Sequence, residues 1–169
     1  LEEHDCESPL QKAMEGTLAC KALYGQSQID RWKERLSAYP SSLAEAMVKK
    51  HLTFFPIWGL NEYLGTRDAT IWTYQVLVEA AQNIIGVLSG LNRLYFTSFQ
   101  FKRMNSFIDQ MEISPRDLSN RLESIFTPGE GRMAELESLI AETVALVEEH
   151  MPQIDTSGAK RRLGSVSYT

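Results

Sequence analysis

Apolar residues recur along most of this chain at the three- and four-residue spacing of a helix surface, and the densest run lies between Thr66 and Arg103. It sits within the longest proline-free stretch of the sequence, and its middle, Val76 to Leu94, is apolar on most sides. A helix of that kind is buried inside a bundle. The run is therefore expected to be the central helix, with a break near Thr97-Ser98 and a shorter segment from Phe99 to Met111.

The flanking segments read as amphipathic helices. Ser8-Pro9-Leu10-Gln11 is a start signal, with serine to cap, proline first in the helix and glutamine three residues after the cap. The helix it opens runs to about Leu23, before Gly25. A second fits Ser27 to Ala38, with Ile29, Trp32 and Leu36 on one face and Pro40 beyond. Ser42-Leu43-Ala44-Glu45 has the form of a capping box and launches a third helix through Met47, Val48, Leu52 and Phe55. Pro56 is expected to kink or restart that helix near Phe54, and Gly65 to close it. Ser114-Pro115 opens a short helix through Leu118, Leu122 and Phe126, and Thr127 to Gly131 reads as a loop. The last long helix, Arg132 to Met151, carries Met133, Leu136, Leu139, Ile140, Val144 and Val147 on one stripe. No alternating β pattern or internal repeat appears. The expected fold is an all-α antiparallel bundle of six or seven helices, comprising an N-terminal extension (1–22), the bundle (23–152) and a flexible tail (153–169).

At about 100° per residue the central helix separates into two faces. Tyr74, Val78, Ala81, Ile85, Leu88, Asn92 and Phe96 form the expected core seam, with Asn92 a buried amide that ties a neighbouring helix end or kink. The other face carries Asp68, Trp72, Gln75, Glu79, Asn83, Gly86, Gly90, Arg93 and Thr97. Glycines four apart cost about 1 kcal/mol each relative to alanine, so something approaches closely there. Two readings stay open. One is a solvated stripe with a tight helix contact. The other is a ligand groove walled by Trp72 and charged by Asp68, Glu79 and Arg93.

Composition narrows the function classes. The chain has 169 residues, enough for one sizeable core, and 43% of them are apolar. Its formal net charge of −5 gives no global electrostatic case for nucleic acid or an anionic membrane. The basic cluster Lys160-Arg161-Arg162 reads as a solvated end. Cys6 and Cys20 make no disulfide framework, and His4, His51 and His150 have no zinc spacing, so a reduced, cytoplasmic setting is expected. Glu79, Gln82 and Asn83 interrupt the best membrane-span candidate short of the roughly 18–20 residues a span needs. A start at Leu1 is expected of a piece of a longer protein.

Several landmarks fall in the order of a known family: Leu23-Tyr24-Gly25, Trp32, Tyr39-Pro40, Val48 to Leu52, Thr66-Arg67-Asp68, Gly90 to Phe96 (GLNRLYF) and Phe101-Lys102-Arg103. Over roughly Leu23 to Met151 the chain resembles the C-terminal helical domain of bacterial minimal nucleotidyltransferases, itself related to the helical half of kanamycin-type nucleotidyltransferases. The resemblance implies a helical bundle that packs on a catalytic domain with the acceptor between them. It implies Arg67, Asp68, Asn92, Arg93, Tyr95 and Lys102 as candidate binding residues, beside Trp72, Glu79 and Asn83 from the glycine-bearing face. It also implies magnesium and a nucleoside triphosphate only where a catalytic domain is present.

The departure from that family is chemical. Transfer needs a Gly-Ser pair followed by Asp-x-Asp to hold the metal ions that neutralise the triphosphate. Gly164-Ser165 has no acid after it, no Asp-x-Asp occurs, and there is no phosphate-binding loop. The expected role is thus an acceptor-binding or accessory domain, inactive alone, partnered by its own or a neighbouring nucleotidyltransferase domain. Such a domain should show an apolar surface near its N-terminus. The alternative is a stand-alone helical interaction domain that forms a homodimer, with Phe54, Phe55, Ile57 and Trp58 as anchor patch. A helical RNase of toxin–antitoxin type needs an arginine four to six residues before a histidine, which no histidine here has.

Overall fold

The computed structural model describes residues 6, 8–57, 60, 69–129 and 131–163. Among the described residues it is all-α, with eight α-helices: α1 (Ser8–Ala19), α2 (Gln26–Ser37), α3 (Ser41–His51), α4 (Thr70–Leu91), α5 (Met104–Ile108), α6 (Leu118–Ser124), α7 (Arg132–His150) and α8 (Ser157–Leu163). A 3-10 helix, Ser98–Arg103, leads into α5.

Helix α4 is the centre. Every residue from Asn83 to Leu91 is buried, because α3 and α7 both cover it. Its principal neighbour is α3, which turns Leu43, Ala44, Met47 and Val48 inward from one face. The contact is close because Gly86 and Gly90 have no side chains. A Cβ on Gly90 would stand 2.8 Å from Val48 Cγ2 and 2.9 Å from the Ala44 carbonyl oxygen. One on Gly86 would run into the His51 imidazole. Of the two readings of these glycines, the structure supports the tight helix contact, and α3 fills the expected groove.

The central helix ends earlier than its apolar pattern suggests. Asn92 caps it, and Arg93 takes a left-handed conformation with φ 56°. The Leu94 N–H then bonds the Ser89 carbonyl (2.9 Å) and the Arg93 N–H the Gly90 carbonyl (3.2 Å). This paired closure is a Schellman stop, normally built on glycine. No residue type announced it, so the expected run to Thr97 is wrong: Leu94 to Thr97 lie outside any helix, and Thr97 is extended. The expected core seam also fails at Val78, which is 43% exposed.

Other boundaries shift for identifiable reasons. Helix α3 starts at Ser41 with no side-chain cap, and Glu45 pairs with Lys49 and accepts from Gln153 instead of closing a capping box. It stops at His51, well before Pro56, whose ring disfavours helical backbone in the preceding residue. Phe54 and Ile57 consequently turn into the core, 6% and 3% exposed, and Phe55 lies edge-on to Trp72 at 5.1 Å. Of the expected anchor patch, Phe54 and Ile57 are therefore core residues, whereas Phe55 stays 38% exposed. Trp58 and the expected helix stop at Gly65 lie outside the described residues.

Both ends of the described chain join the body. In α1, Gln11 is fully buried and accepts the Phe96 N–H (3.1 Å), and Met14 enters the core. The segment expected to be a flexible tail is instead folded through Leu163. Ile154, Thr156 and Ala159 are buried, and α8 packs on α7, where Glu148 accepts from Thr156 (2.6 Å) and pairs with Lys160 (2.5 Å). Arg121 ties α6 to α7 through Glu135 (2.5 Å), Glu142 (2.6 Å) and Ser138 (3.2 Å). Hydrogen bonds from that guanidinium hold the Glu142 carboxyl below its usual range.

Two substitutions near the end of α4 should move stability in opposite directions. Gly90→Ala should lose a net 1–2 kcal/mol or so, because overpacking costs about 1–3 kcal/mol and exceeds the helix-propensity gain. Arg93→Gly should gain about 1 kcal/mol by relieving left-handed strain. Urea unfolding midpoints check both; equal midpoints for Gly90→Ala and the parent would contradict the close contact.

Candidate functional site

The glycine-bearing face of α4 is an internal polar seam. Asn83, 8% exposed, donates from Nδ2 to the Thr53 carbonyl (2.7 Å), which leaves its Oδ1 to accept from His51 Nδ1 (3.0 Å). The network thus assigns the proton to Nδ1. The ring also meets Phe96 edge-on at 5.7 Å. Burial lowers the His51 pKa below its ordinary value, Lys50 adds to that, and the bond to Asn83 opposes it. His51, expected on a polar surface, is instead a neutral wedge between α3 and α4.

Asn92 is a clamp. Its Nδ2 donates to the carbonyls of Leu88 and Ile113 (both 2.8 Å), and its Oδ1 accepts the N–H groups of Glu112 (2.8 Å) and Ile113 (2.9 Å). Donor and acceptor ends are both used, so the amide fastens the end of α4 to the loop before α6. The expected tie is real in kind, and its target is residues 112–113.

The remaining sequence-derived candidates each answer to a different neighbour. Trp72 is half-buried against Phe55, and Glu79 is exposed. Arg93 is exposed and reaches Ser41 Oγ at 3.3 Å. Tyr95 is 4% exposed, donates to the Leu36 carbonyl (2.9 Å) and sits 4.8 Å from the Tyr39 ring. Lys102 lies 5.1 Å over the Phe99 ring. Arg67 and Asp68 lie outside the described residues. Among the described residues no three His, Cys, Asp or Glu side chains gather as a metal-ligand set, and no helix is long and apolar enough to cross a membrane.

The open concavities are elsewhere, along the pair α1–α2. Helix α2 buries none of its twelve residues, and its principal helical neighbour is α1. Two clefts of about 470 and 400 Å³ flank the pair, with Ala13, Thr17 and Trp32 bordering both. Met14 and Leu36 floor the larger cleft, and Trp32 stays 45% exposed at the shared rim. Leu10, Leu23 and Tyr24 are exposed on the same two helices and their connection. Ile29, Trp32 and Leu36 share one face of α2, as their spacing predicts. Nothing local to α2 signals that it buries none of its residues.

No family model, characterised protein or solved structure matches the chain.

Two measurements check the internal seam. Asn92→Ala should lose about 2–3 kcal/mol, since it strands several backbone groups, and Asn92→Asp should recover part through its acceptor oxygens. Denaturant unfolding reads both, and a loss below about 0.5 kcal/mol would contradict the clamp. For His51 the folded state favours the neutral ring, whereas the unfolded chain protonates near the ordinary value of 6.5. Its contribution is complete above that value and is lost as pH falls toward the lower folded value. The parent should therefore weaken more steeply than His51→Gln as pH falls below 6.5. Parallel slopes would contradict the buried neutral ring.

Proposed function

We propose that this chain is a helical accessory domain of a nucleotidyltransferase-like protein, contributing a docking surface while a separate catalytic domain supplies the chemistry. The observation that carries this reading is the α1–α2 edge. A twelve-residue helix with no buried residue, rimmed by a half-exposed tryptophan, is what a domain offers to a neighbour that completes it. The exposed Leu10, Leu23 and Tyr24 beside Trp32 support the same reading. The absence of Asp-x-Asp from the sequence is consistent with the same division of labour. Acceptor contacts on this reading belong to the docked assembly and not to the glycine face, which α3 occupies.

The second reading, a stand-alone homodimerisation domain, is favoured by the same edge. It predicts that light scattering over a concentration range shows a mass rising from 19.2 kDa to twice that, reversed by Trp32→Ala. The accessory reading predicts a monomer in isolation.

The accessory reading is tested by coding context and by calorimetry. A Gly-Ser and Asp-x-Asp domain is expected in the same or an adjacent reading frame, and its absence from both would overturn the reading. Titration of the isolated chain with magnesium and ATP should give no more heat than an unrelated protein. Micromolar, metal-dependent binding by the chain alone would place nucleotide chemistry within it and reject the division of labour.

A further inference from the structure

Taking the α1–α2 edge as a docking face, as the proposed function does, we propose that its occupant is an amphipathic α-helix with acidic flanks, seated along the two clefts.

The shape of the edge selects a helix. Ile29, Trp32 and Leu36 recur along α2 at helical spacing, and across from them α1 presents Ala13, Gly16 and Thr17. A Cβ built on Gly16 meets nothing within 4 Å, so that wall is open to an incoming element. Two helices so arranged form a track on which a third packs at an interaxial distance of about 8–10 Å, as in any bundle. The described residues contain no strand whose edge could take an added strand, and Trp32 is the kind of half-exposed aromatic that anchors such contacts.

Charge selects the flanks. The charged side chains that line the clefts are Lys12 and Arg35, and no carboxylate lines either one. Residues 9–40 carry five basic side chains (Lys12, Lys21, Arg31, Lys33, Arg35) against three acidic ones (Glu15, Asp30, Glu34), although the chain as a whole is at −5. The net charge of this stretch is thus opposite in sign to that of the whole chain. Positive charge continues past the smaller cleft, where Lys12 stands 3.9 Å over the half-exposed Phe99 ring and Lys102 also approaches it. An apolar stripe flanked by Glu or Asp complements this pattern, and one flanked by Lys or Arg is repelled by it.

The experiment is a selection from displayed helical peptides of about 18 residues, five turns, apolar at i, i+3, i+4 and i+7, with flanking positions varied between Glu and Lys. Peptides enriched on the full chain should be Glu-flanked and bind more weakly as salt rises. Trp32→Ala should weaken them about tenfold or more. Arg35→Glu should shift the preference toward Lys flanks, and Gly16→Met, which builds into open space, should block binding while leaving the circular dichroism and melting of the chain unchanged. Enrichment of Lys flanks, no enrichment, or binding indifferent to all three variants would overturn the proposal. Self-association lost in Trp32→Ala would overturn it in favour of a second copy, and Trp32-dependent binding to anionic vesicles in favour of a membrane surface. The two readings fail separately. Peptides that do not bind, beside a Gly-Ser and Asp-x-Asp domain in the coding context, remove only the acidic helix. Peptides that bind in the absence of that domain remove only the nucleotidyltransferase assignment.

Discussion

Helix α3 lies against α4 at a distance set by two hydrogen atoms, those that Gly86 and Gly90 carry in place of side chains. That approach lets Ala44 and Val48 press against the α4 backbone and leaves a slot that the His51 ring fills. The neighbouring Asn83 amide then satisfies both the imidazole and a loop carbonyl, so polar groups enter the seam without being stranded. With α7 also on α4, its second half is sealed all round. The other helices are positioned by what this pair leaves uncovered.

Polar side chains do much of that positioning, chiefly at helix ends. Asn92 joins the end of α4 to residues 112–113, Gln11 fastens α1 to Phe96, and Tyr95 holds the end of α2 through the Leu36 carbonyl. Arg121 and Glu148 do the same for α6 and α8 on α7. Each such bond contributes only about 1 kcal/mol net, but removing one partner strands the other at a larger cost. Helix ends are thus specified more sharply than the apolar faces alone would make them. Tyr39 and Thr73 are the exceptions among the described residues, buried hydroxyls with no hydrogen-bond partner, and burial pushes the Tyr39 pKa well above the ordinary range.

Several of the candidate binding residues are spent on this internal work. Asn83, Asn92 and Tyr95 all hold the fold together, and Arg93 makes the turn that ends α4. What the chain leaves unspent is the α1–α2 edge, apolar in its clefts and basic on its rim. A surface of that kind gains free energy when covered, and its local charge constrains what covers it.

Much of the fold was legible in the residue pattern. The all-helical class, the positions of α1, α2 and α7, and the central place of α4 follow from apolar periodicity and from proline and glycine punctuation, because amphipathic spacing is a local property. The close approach at Gly86 and Gly90 was legible too, as a demand that something come near. Which element came near was not legible, since a glycine notch looks the same from within its own helix whether a ligand or α3 fills it. The stop at Asn92-Arg93 was equally hidden, because an arginine held at positive φ carries no local signal and persists only where the surrounding packing requires it. The exposure of α2 was decided at the same level. The spacing of Ile29, Trp32 and Leu36 puts them on one face, and only the placement of the other helices leaves Ile29 and Leu36 half-buried and Trp32 45% exposed.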